Sequence, residues 1–104
     1  MREQAKHSAA LESAADERSR VVGSLVFSTV GSLLPAGSEA IENGRAALID
    51  LAGVTDSDSS GLALLIEWKS VAKYARRTLR YEHLPSQLLQ LARLSEVDEL
   101  LTAD

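Results

Sequence analysis

Two kinds of apolar run occur along this chain, and their spacing predicts most of its elements. Ala46-Ala47-Leu48-Ile49 is continuous, passes through Asp50 to Leu51 and Ala52, and is bounded by Gly44 and Gly53. A short unbroken run of this kind is the pattern of a strand buried on both faces, in a sheet covered by helices. From Leu62 to Arg77 the pattern changes: Gly and Pro are absent, Leu and Ala are abundant, and a helix is predicted. At about 100° per residue, Leu64, Leu65, Trp68, Val71, Ala72 and Ala75 share one arc, expected to face the sheet, with Glu67, Ser70 and Tyr74 opposite. Trp68 is therefore read as packing. Thr78 to Glu82 reads as a second strand, Pro85 as the opening of a helix through Leu94, and Glu96 to Leu101 as a last short helix.

The N-terminal third is less sharply patterned. Met1 to His7 is almost wholly polar and reads as a mobile tail, with one domain over residues 8–104. Ser8 to Ser13 suits either an edge strand or a weak helix, Ala14 to Arg18 a turn, and Ser19 to Val22 a strand that Gly23 breaks. Thr29 to Leu34 and Ser38 to Glu42 have helical spacing with Pro35 and Gly37 between them, which predicts an interrupted helix ending at Asn43–Gly44. Strand, helix and strand in that order make a right-handed parallel crossover the natural topology. The expected class is α/β, a mixed sheet of about four strands with about four helices.

Composition narrows the function. The 104 residues suit one core, and with 11 basic against 15 acidic side chains the formal charge is −4. That charge offers no broad positive field, so nucleic-acid binding is not expected. The chain has no cysteine, which removes disulfides, thiolate metal sites and a thiol nucleophile. His7 and His83 stand apart from each other, so no metal and no cofactor are expected. The first twenty residues are polar and alternate in charge, unlike a secretory signal or a membrane span, and a cytoplasmic protein with no direct membrane insertion is expected.

The most distinctive stretch is Asp56-Ser57-Asp58-Ser59-Ser60-Gly61, small hydroxyl and acidic residues and a glycine between the buried strand and the helix. Capping alone accounts for much of it: a side-chain oxygen just before a helix accepts a free backbone N–H, worth about 0.5 to 2 kcal/mol. The same end presents a positive dipole that tolerates a phosphoryl group on a neighbouring hydroxyl, so Ser60 or Ser59 is a candidate phosphorylation site. Leu62 and Ile66 project onto a stripe shared with Lys69 and Lys73 rather than onto the core arc. Asp58, Ser59, Ser60, Gly61, Leu62 and Ile66 are together the candidate partner-binding residues.

Ala47-Leu48-Ile49-Asp50-Leu51, then Val54, then Asp58-Ser59-Ser60-Gly61-Leu62-Ala63-Leu64-Leu65 resembles the signature of STAS domains, the family of bacterial anti-sigma factor antagonists and transporter-associated regulators. Within that family, Val22 to Val30 and the Gly61 helix start are most similar to MlaB, the cytoplasmic STAS subunit of Mla phospholipid ABC transporters. The resemblance implies a non-catalytic adaptor that binds the transporter's ATPase subunit and so lies at the inner membrane through its partner, in lipid traffic that maintains outer-membrane asymmetry. It places the docking hydroxyl of the MlaB-like proteins at Ser59. In the antagonists the phosphorylated serine precedes the glycine, which corresponds to Ser60, and the implied partner is then an anti-sigma factor kinase.

Other chemistries fit poorly. A serine hydrolase elbow needs glycines on both sides of its serine, whereas Ser60 has Asp58 at the first such position. An acyl carrier is a helical bundle with leucine after its serine, and here Ser60 follows Ser59. No Walker-type loop is present. Asp50, Asp56 and Asp58 have the hard oxygen ligands magnesium favours, but the expected reading is solvated loop acids and a helix cap rather than a metal site.

Overall fold

A computed structural model describes residues 7–103. The described residues form four strands and four helices: β1 (Ala9–Ser13), β2 (Arg18–Leu25), α1 (Phe27–Glu42), β3 (Leu48–Ser57), α2 (Ser59–Ala75), β4 (Arg80–Glu82), α3 (Ser86–Leu94) and α4 (Asp98–Thr102). The strands lie in the order β1-β2-β3-β4, with β1 antiparallel to β2 and the remaining neighbours parallel. This is the mixed α/β sheet the sequence predicts, with the apolar strand β3 between two neighbours. Apart from His7, the tail expected over Met1 to His7 lies outside the described residues.

Tertiary pairing moves several boundaries. Ser8 to Ser13 resolves as an edge strand, because Ala9 to Ser13 find partners from Gly23 back to Ser19. Gly23 does not break β2. At φ +103° it sits in a bulge where a Cβ would collide with the Ser8 carbonyl, and the next N–H, of Ser24, donates to that same carbonyl at 2.9 Å. Gly53 to Ser57, beyond the apolar run that predicts the strand, is strand as well, because Val22 to Leu25 pair with it. Polar Thr55 and Asp56 are tolerated there because their side chains are exposed.

α1 is one helix, not the interrupted pair predicted. Pro35 has no N–H for the Gly31 carbonyl one turn back, yet both residues are exposed, so that carbonyl meets solvent rather than an apolar wall. Gly37 packs rather than breaks: a Cβ there would overlap the Trp68 indole, and the Trp68 Nε1–H donates to the Leu34 carbonyl at 3.2 Å. Trp68, fully buried as predicted, joins α1 to α2 in a core with Val21, Leu25, Ile49, Leu51 and Leu65. Each of the two helices links a pair of parallel strands, so they run in the same direction with their N-termini side by side. The opposite sheet face carries the row Glu12, Arg20, Asp50 and Glu82 in register, with Arg20 bonded to Glu12 and Arg18 to Glu82.

Candidate functional site

Both N-termini converge on Asp58. Its Oδ1 accepts the Ser60 N–H at 2.8 Å, the N-cap bond expected from the sequence. Its Oδ2 accepts the Phe27 N–H at 3.3 Å, a contact across 31 positions that local reasoning does not supply. α1 needs it because its N-cap is Val26, which has no side-chain acceptor. Thr29 Oγ1 completes that start, accepting the Val26 N–H at 3.1 Å and donating to the Ser24 carbonyl at 2.7 Å. Gly61 has a packing reason: an added Cβ would lie 2.7 Å from the Leu25 carbonyl oxygen, where α2 meets the end of β2.

The expected partner-binding residues do not form one face. Ser59 is exposed and Ser60 half-buried at the start of α2, beside Asp58 and Gly61. Leu62 is a correction: it is only 7% exposed and belongs to the core. Ile66 is half-buried against that core. Their stripe turns inward because its next member, Lys69, reaches the C-terminal segment, donating to the carbonyls of Leu79 at 2.6 Å and Ala103 at 2.7 Å and standing over the Tyr81 ring. Burial pushes the Tyr81 phenol well above its ordinary pKa, and its hydroxyl donates to the Leu65 carbonyl at 2.6 Å.

What is exposed instead is a groove of about 380 Å3 between α1 and α2, lined by Phe27, Val30, Leu34, Ala63 and Leu64, with Ser60 and Glu67 completing its lining. Phe27 is 82% exposed, unusual for a phenylalanine in a molecule of this size. The sequence held a signal for it. Phe27, Val30 and Leu34 fall at i, i+3 and i+7, a helical stripe that shows once α1 is started at Phe27 rather than Thr29.

Two polar clusters lie elsewhere. Asp50, Glu82 and His83 bring potential ligand atoms within 4.8 Å of one another, but Arg18 Nη2 stands 2.9 Å from Glu82 and already supplies positive charge. Asp50 is held below its ordinary pKa, first by the Ala52 backbone N–H and then by His83, and its bond to His83 raises the imidazole. The three aspartates weighed for magnesium are not gathered: Asp50 serves Ala52 and His83, Asp56 accepts from Ser24 and Thr55, and Asp58 caps two helices. At the C-terminal ends of the two interior strands, Ser24 of β2 donates to Asp56 of β3 at 2.5 Å, with His7 Nδ1 3.3 Å from Ser24 Oγ and 3.8 Å from Asp56. A nucleophilic serine hands its proton to the imidazole, with the acid behind that ring. Here the serine hydroxyl donates its hydrogen bond to the carboxylate instead of to the imidazole, so the group has a structural part, beside the start of the first strand.

With this geometry in place, comparisons with known proteins give a consistent picture. The family model described as "Mlab, STAS domain" matches residues 8–102. Among solved structures, the unphosphorylated anti-sigma factor antagonist SpoIIAA superposes with a TM-score of 0.68 at 17% identity, over 90% of this chain and 85% of that one. The phosphorylated form of SpoIIAA, the Bacillus cell fate determinant, gives 0.66 at 17% identity over 90% and 88%. No curated protein matches by sequence. At that identity the structures speak for the fold alone.

Proposed function

Because this chain belongs to the STAS domain family, we propose that it is a non-catalytic adaptor that binds the ATPase subunit of an Mla-type phospholipid ABC transporter and lies at the inner membrane through that partner. The observation that carries the reading is the match of nearly the whole chain to the MlaB-labelled branch of the family. The turn supports it: Ser59, the expected docking hydroxyl, is exposed on a helix start held from two sides by Asp58. No helix of the described residues is long and apolar enough to cross a membrane, so attachment through a partner suits the chain.

A second reading rests on Ser60, which directly precedes Gly61 and sits at a helix N-terminus suited to a phosphoryl group. On it the chain is an anti-sigma factor antagonist and its partner a kinase. Calorimetric titration against both encoded proteins, the ATPase subunit and the anti-sigma kinase, separates the two. The adaptor reading expects the ATPase to bind and Ser59→Glu to weaken it by roughly 1 to 3 kcal/mol at unchanged melting temperature. Binding to the kinase with phosphoryl transfer to Ser60, and none to the ATPase, overturns it.

A further inference from the structure

The groove between α1 and α2 has a length, a polarity and two unlike ends. From Phe27 to Leu34 it spans seven residues of α1, on the order of 10 Å at 1.5 Å per residue, which is two helical turns. Its wall is apolar along that length. At one end, near Ser60 and Phe27, the first N–H groups of two parallel helices meet, and both are tied to Asp58. At the other, Glu67 is exposed, and no ion pair among the described residues reaches it. α1 carries no Lys or Arg, only Glu39 and Glu42 beyond the groove, so the helix offers Glu67 no cation.

We propose that this groove receives a short amphipathic helix of the partner protein, through two apolar side chains one turn apart and a Lys or Arg that meets Glu67. The inference rests on the adaptor reading for the partner's identity, and on the groove alone for the partner's chemistry. Two turns of wall accept two side chains at i and i+4, the spacing by which helices enter grooves. A cation at the far end complements a carboxylate otherwise left to solvent, in a chain whose net charge is −4. Asp58 gives the turn its part in docking. By holding Ser60 and Phe27 from one carboxylate it sets the mouth of the groove, so a substituent on the serines bears on the groove as well as on the turn.

The test uses the full chain with designed peptides and with whichever cognate partner binds it. The probe is an Ala-rich helical peptide of about 15 residues with Leu at two positions one turn apart and Arg a further turn on; its controls carry Glu for Arg, or Ser for both Leu. Amide spectra of the labelled chain should show shifts at Phe27 to Leu34 and Ser60 to Glu67 with the Leu/Arg peptide, several-fold weaker binding of the Glu control, and none of the Ser control. Ala63→Arg fills the groove while keeping a good helix former at an exposed position, and Phe27→Ser removes an exposed ring. Both should retain wild-type melting and lose about tenfold or more in partner affinity, a hot-spot-scale effect, and Glu67→Lys should lose several-fold. Wild-type partner affinity in Ala63→Arg, or peptide shifts elsewhere, overturns the groove. So does a dimer by sedimentation that Phe27→Ser dissociates, since the occupant is then a second copy. If neither the ATPase nor the kinase binds the wild-type chain, the adaptor reading falls alone, and the peptide arm still decides the groove.

Discussion

At the scale of single residues, Asp50 and His83 make the contact most open to titration. The 2.8 Å bond holds the Asp50 carboxyl below its ordinary 3.8, behind the larger effect of the Ala52 N–H, and lifts the imidazole above 6.5. For the histidine, a raised folded-state pKa means stability fully present below 6.5 and lost as pH rises through the raised value. For the aspartate, a lowered value means stability present above 3.8 and lost as pH falls through it. The pair therefore contributes most between those two limits. Its effect is small because His83 is exposed and solvent screens it. Urea unfolding at about pH 5.5 and about pH 8 should show the wild type losing a little stability across that step and His83→Gln losing less; an equal loss in both would assign the pH dependence elsewhere.

Among the elements, α1 departs furthest from its local pattern. Proline in a helix interior costs about 3 kcal/mol in an isolated host, and Gly about 1. α1 nevertheless runs through Pro35 and Gly37, because Leu33, Ala40 and Ile41 are buried and Gly37 lets Trp68 reach the helix backbone. Since Pro35 is exposed, Pro35→Ala should restore the bond to Gly31 and stabilise the domain by about 1 to 2 kcal/mol in denaturant melts, the gain reduced by the looser unfolded chain. Unchanged or lower stability would mean that the ring does pack, or that α1 depends on the bend it imposes.

For the whole molecule, one core joins the sheet to α1 and α2 and extends to Leu88 and Ala92 of α3 and Leu101 of α4. A core shared in this way unfolds as a unit. Trp68 is the sole tryptophan and lies at its centre, so its fluorescence and far-ultraviolet circular dichroism should trace coincident transitions in urea. A separate, earlier loss of helical signal would show α3 and α4 as an independent layer.

Local pattern reaches a long way here. The apolar run of β3, the core arc of α2 and the Asp58 cap were legible because each depends on residues within a few positions of one another, and strand, turn and helix in that order carried the family. Leu62 and Ile66 were not legible: a stripe apart from one arc reads as outward, but Lys69 and Tyr81 bring the C-terminal segment over it. The ends of β2 and β3 were likewise hidden, since Gly23 becomes strand by pairing with both β1 and β3 and Gly53 by pairing with β2. The second bond of Asp58 spans 31 positions, and the exposed ring of Phe27 follows from a helix start that this distant carboxylate makes possible. What neighbours in the chain determine, periodicity and caps report; what strand pairing and helix packing bring together from afar, only the folded chain decides.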